Sequence, residues 1–186
     1  MKFRHLIAAA AACIPMLLLC SCSSGNSESA EIAAPATPFC NAGWDDTIDS
    51  ITAEEGTDYQ TYPSVYDGTT YTYPKEYLEK NGTVKYMFDA EDRLMSIAWT
   101  YGSDNTAELH LLYDTINESV NETYGASTYN ADNSNSVGNF GNVWHREDGD
   151  IILSTMITSE TKALQYSYLH PSVSNKEALA QSEETD

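Results

Sequence analysis

The chain has 186 residues, 9 Lys and Arg against 28 Asp and Glu, and a formal net charge of −19 at pH 7. Nothing clusters Lys or Arg to displace counterions from phosphates, which excludes nucleic acid as a partner, and an anionic bilayer would repel so acidic a surface. Lys2, Arg4 and His5 precede an apolar run over 6–19, the basic and apolar parts of an export signal. This run of 14 is shorter than the about 20 residues a membrane span needs, and Pro15 interrupts it, so the segment is expected to be removed. It ends in Leu17, Leu18, Leu19, Cys20, Ser21 and Cys22.

Leu19, Ser21 and Cys22 resemble the lipobox of bacterial lipoproteins, where a Leu three places before the modified cysteine and a small residue just before it precede the lipidated thiol. Cys20 departs at the middle, permissive position. Taking Cys20 as the modified residue would instead put bulky Leu19 at the cleavage point. The resemblance implies loss of 1–21, a diacylglyceryl thioether on Cys22 and a place at the bacterial cell membrane, facing the periplasm or the exterior. Two acyl chains anchor persistently where one holds only marginally. Cleavage would also remove Lys2 and Arg4, leaving 7 basic residues against 28 acidic, a net −21.

Residues 22–38 are poor in large apolar side chains and read as a flexible tether, and 172–186 read as a disordered acidic tail. A single α+β domain is expected over 39–171. Cys13 and Cys20 leave with the signal and Cys22 takes the lipid, so Cys40 has no internal disulfide partner. Beside Phe39 and near Trp44 it reads as a small buried hydrophobe, with a reactive thiol as the other reading.

The domain opens with a short helix in which Trp44, Ile48 and Ile51 share a buried face, Asp46 or Thr47 caps the start, and Gly56 gives a left-handed stop. Strands are predicted over 69–73, 84–88 and 94–101, with Val84, Tyr86 and Phe88 on one face of their strand, Met95, Ile97 and Trp99 on one face of theirs, and a turn over 89–93. Leu109, Leu112, Ile116, Val120 and Tyr124 mark a second helix, capped from 103–105 and ended by Gly125. Residues 126–142 read as an Asn, Ser and Gly loop. Three more strands are expected over 143–146, 150–157 and 163–169, with a turn at Asp148 and Gly149.

The predicted order is a helix and three strands, stated twice, over 44–101 and 104–169. Asp46, Thr47 and Ile48 recur as Asp114, Thr115 and Ile116. The fold class is therefore α+β: an antiparallel sheet of about six strands with two helices on one face, from two αβββ repeats. The opening phrase 44–56, followed by a hairpin of aromatics, Phe88, Asp89, a turn and Leu94, resembles small bacterial extracytoplasmic lipoproteins of α+β type. Some of these resemble the outer-membrane assembly lipoprotein or β-lactamase-inhibitor-protein folds. The resemblance spans 45–169 and implies a binding or assembly module with no active-site residues to carry over.

No Gly-x-Ser-x-Gly elbow occurs, and Cys40 has no His beside it in sequence. His145 and His170 read as structural or solvent-facing groups. His110, Asp114 and Glu118 share a helix face that could give part of a metal site but reads as a solvated polar face. The run 132–138 lacks the glycine of a calcium loop, and Val143 stands where a bidentate Glu is needed. Glu54 with Glu55, and Asp148 with Asp150, are carboxylate neighbours of the kind so acidic a chain produces by chance. No cofactor is expected. Tyr59, Tyr62 and Tyr66, ahead of the first predicted strand, are the candidate partner-binding residues. The function expected is a lipid-anchored, non-enzymatic binding or assembly module for an envelope or extracellular protein. An inhibitor or immunity-type lipoprotein that blocks a secreted enzyme is the alternative, with a hydrolase behind both.

Overall fold

Helix α1 (Ile48–Glu55) begins where the Thr47 side chain accepts the Ser50 amide and the Ser50 hydroxyl accepts the Thr47 amide, a reciprocal capping box. The computed structural model describes residues 37–132 and 140–174. The expected signal, Cys22, all but the end of the tether, the calcium-like run beyond Asp132 and the tail from 175 lie outside them.

Four strands follow α1: β1 (Gln60–Pro63), β2 (Asp67–Tyr77), β3 (Lys80–Asp89) and β4 (Leu94–Gly102). Helix α2 (Thr106–Tyr124) then leads into β5 (Tyr129–Asp132), β6 (Phe140–Trp144), β7 (Asp150–Ile157) and β8 (Lys162–Leu169). Each set is an antiparallel meander, and β4 pairs antiparallel with β8 to join them in one sheet of order β1-β2-β3-β4-β8-β7-β6-β5. The sheet thus has eight strands, not about six, and each half is a helix with four strands, not three.

The two unforeseen strands carry no readable alternation. All four side chains of β1 are exposed, and β5 is Tyr-Asn-Ala-Asp within loop-like composition. Their neighbours make them strands, through register with β2 and β6. β2 also runs past its expected end, through Pro74 to Tyr77. The two-residue turn at Leu78 and Glu79 makes Tyr77 and Lys80 a hydrogen-bonded pair, so Pro74, three residues back, turns its backbone away from β3. β1 reaches only Thr72, so the missing N–H of Pro74 faces an open edge, where it costs no ladder bond and blunts strand addition.

The helix-side face is a floor of rings. Tyr73, Tyr86, Phe88, Trp99, Tyr166 and Tyr168 are buried there with Val84, Ile97, Leu153 and Leu164, and both helices add to the same core through Ile51, Leu109, Leu112, Ile116 and Val120. A shift in the β3–β4 register sets Leu94, not Met95, opposite Phe88, and Leu94 joins this core. Gly82 is needed because the Trp99 indole lies over it and donates to the Lys75 carbonyl at 3.1 Å.

Trp44 departs from the expected helix face. It lies ahead of α1, buried, with its indole N–H on the Asp148 carbonyl at 3.1 Å and its ring edge-on to His170. The segment before it also packs on the helix side, with Phe39 edge-on to Tyr77, Tyr166 and Tyr168. Cys40 is buried, its Sγ 3.0 Å from Thr37 Oγ1. The repeated Asp-Thr-Ile triplet is not structurally equivalent: Thr47 caps α1, whereas Thr115 lies inside α2 and bonds back to Leu111 O. The correspondence holds at the helix ends. Gly56 and Gly125 stop their helices at φ +96° and +86° with extended ψ instead of a left-handed one, and each is followed by a strand at the fourth residue.

Candidate functional site

Strand alternation that turns the rings toward the helices turns small residues to the other side, and the register aligns these into three cross-strand rows. One runs Tyr62, Thr70, Met87, Ser96, Leu169, Asp150; the next Gln60, Thr72, Lys85, Ala98, Ser167, Ile152, Val143, Tyr129; the third Pro74, Thr83, Thr100, Gln165, Ser154, Gly141. Ser96, Ala98 and Ser167 are buried between longer neighbours, and Thr72, Thr83, Lys85, Met87 and Gln165 are half-buried. The result is a shallow face of hydroxyls and methyls. At its β1 corner is a cleft of about 310 Å³, lined by Asp58, Gln60, Thr72, Pro74 and Thr83 among others.

Lys85 and Asp150 are the charged residues of these rows, and Asp150 is buried. It is 1% exposed at the side chain, with Oδ1 3.0 Å from His145 Nδ1 and Oδ2 accepting from the Ser174 hydroxyl at 2.7 Å. Both ring nitrogens of His145 are buried, and Nε2 has no hydrogen-bond partner among the described residues, so this carboxylate–imidazole pair presents no nitrogen to solvent. It fastens the chain after β8 to the start of β7.

The three candidate tyrosines separate. Tyr59 packs on the helix side, 5.4 Å from the rings of Tyr71 and Tyr73. Tyr62 is 42% exposed on the open face, its hydroxyl accepting from Thr72 at 3.1 Å. Tyr66 lies half-buried against the same face, hydrogen-bonded to Ser96; burial raises its pKa and that bond lowers it in part. Tyr62 and Tyr66 thus frame one corner of the open face, and Val65 beside them is 81% exposed. The rest of the face was not singled out from sequence. Its signal is the plain residue in each alternation, as in Thr70-Tyr71-Thr72-Tyr73 and Gln165-Tyr166-Ser167-Tyr168, where no acid fills the outward places of so acidic a chain.

The remaining candidates have separate surroundings. Glu54 accepts from Asn41, whereas Glu55 is held by Lys75 and Tyr86. Asp148 pairs with Arg146, away from Asp150. His170 accepts the Ser172 amide as the cap of the turn Pro171–Val173. Asp114 and Glu118 are exposed and His110 half-buried; among the described residues no three His, Cys, Asp or Glu converge as metal ligands. No helix among the described residues is long and apolar enough to cross a membrane. The chain matches no protein-family model, no curated protein and no solved structure.

Proposed function

We propose that the chain is a binding or assembly module, held outside the cytoplasm by a lipid on Cys22, that docks a protein partner through the open face of its sheet. One observation carries the reading: the sorting of charge. Asp49, Glu54, Asp114, Glu118 and Glu122 are exposed on the two helices, while the three rows of the open face hold Lys85 and the buried Asp150, and Glu76 is exposed on the same side beyond them, toward the β2–β3 turn. Acidic surface keeps water and repels its like, whereas a surface with few charges loses its water at less cost on contact. Phe39 lies among rings of the helix side, so the chain enters the domain on the side away from this face.

The test is photo-cross-linking in the native envelope, with benzoylphenylalanine placed at Thr83 or Gln165 on the open face and at Leu111 or Glu118 on the outer side of α2. Discrete adducts from Thr83 and Gln165 alone are the expected result. Adducts from the α2 positions alone, or from none of the four, overturn the reading. An inhibitor or immunity role would use the same face, and a secreted enzyme in the adduct would identify it.

A further inference from the structure

Six cations lie among the described residues, and five have partners on this chain. Lys75 holds Glu55, Lys80 holds Glu108, Arg93 holds Asp89 and Glu91, Arg146 holds Asp148, and Lys162 donates to the Asp104 carbonyl. Lys85 alone among them has no ion pair or hydrogen bond to the described residues. A chain with 28 acids does not lack carboxylates to offer it. The register withholds them: Thr72 and Ala98 flank Lys85 across the strands, Thr83 and Met87 along its own, and none is acidic.

Resting on the docking face proposed above, we infer that Lys85 is the point at which that face recognises a single carboxylate, an Asp or Glu side chain presented by the protein partner. Lys85 lies half-buried on the sheet and no described residue neutralises its ammonium, so it can meet an anion in a contact that excludes water. A phosphate, a sulfated glycan or a nucleic acid would call for several cations in one place, and the acidic remainder of the chain repels a polyanion at range. One ammonium among threonine hydroxyls matches one carboxylate.

The probe is a phage-displayed library of random dodecapeptides, selected on immobilised full-length protein, with retained peptides resynthesised for affinity measurement and placed by cross-linking. The expected consensus has one fixed Asp or Glu. Changing that acid to its amide, or Lys85→Gln in the protein, each weakens binding roughly tenfold, and the two together weaken it no further. Lys162→Gln leaves the affinity unchanged, and the melting temperature of Lys85→Gln stays at the wild-type value. Peptides that bind the open face without an acid, or equally well after Lys85→Gln, overturn the assignment while leaving the face itself standing. Peptides cross-linked to α2 count against the face. Retention of no peptide above the level seen with Lys85→Glu counts against Lys85.

Discussion

Gly82→Val should lower the stability of the domain by about 3–5 kcal/mol, the sum of overpacking a dense core and stranding a buried indole N–H. The backbone at Gly82 is ordinary, so the cost is one of space. A Cβ there would lie 2.6 Å from both Nε1 and Cε2 of Trp99 and 2.7 Å from the Thr100 carbonyl oxygen. Trp99 has nowhere to go: it is fully buried, stacked on Tyr101 at 6° and edge-on to Tyr77 at 5.3 Å. Displacing it breaks the bond to Lys75 and loosens the join between β2, β3 and β4. Gly102→Ala is the control, because a Cβ there meets only the Lys162 carbonyl oxygen at 3.6 Å, an ordinary contact. Urea unfolding should show Gly82→Val with a much lower midpoint and Gly102→Ala close to wild type. Equal midpoints for the two would contradict this packing.

Lys75→Met should cost about 2–3 kcal/mol, less than a fully buried pair because part of the lysine reaches solvent. Glu55 at the end of α1 is 8% exposed and receives Lys75 Nζ at 2.7 and 2.9 Å and the Tyr86 hydroxyl at 2.7 Å. Removing the ammonium leaves a buried carboxylate with one neutral donor, so the penalty belongs to the abandoned charge more than to the lost attraction. Glu55→Gln on the Lys75→Met background should therefore regain at least half of the loss, since the amide oxygen still accepts from Tyr86 without carrying charge. If the double variant is as unstable as the single one, the ion pair is not what fixes α1 over the sheet.

How far the sequence could be read follows from how strongly each element declares itself. Helix α2 repeats its apolar residues over five turns between an Asn cap and a glycine stop, and its buried face matches the expected one from Leu109 to Val120. The central strands alternate ring with small residue, and they were legible too. β1 and β5 are four residues each and take their structure from a neighbour's edge, a non-local cause that local pattern does not encode. Trp44 misled because helical spacing and aromatic character placed it on α1, while its partners, Asp148 and His170, are far along the chain.

The candidate site was less legible than the fold, for a physical reason. A docking face is made from residues that are individually unremarkable, and Thr72, Thr83, Ser167 and Lys85 acquire meaning only when the register sets them side by side. The tyrosines attracted attention by density, yet Tyr71, Tyr73 and Tyr77 belong to the core side, and of the three candidates only Tyr62 and Tyr66 lie on the open face. The lipobox resemblance is legible in the opposite sense. Its pattern is local, complete in a few residues, and independent of the fold.

The most direct measurement of a membrane-held module compares wild type with Cys22→Ser in cells fed a labelled fatty acid, followed by fractionation and gel analysis. The wild-type chain is expected in the membrane pellet carrying the label, and Cys22→Ser in the soluble fraction without it, with an unchanged melting temperature for the domain. Label on Cys22→Ser, or its retention in the membrane pellet, would contradict an anchor through Cys22.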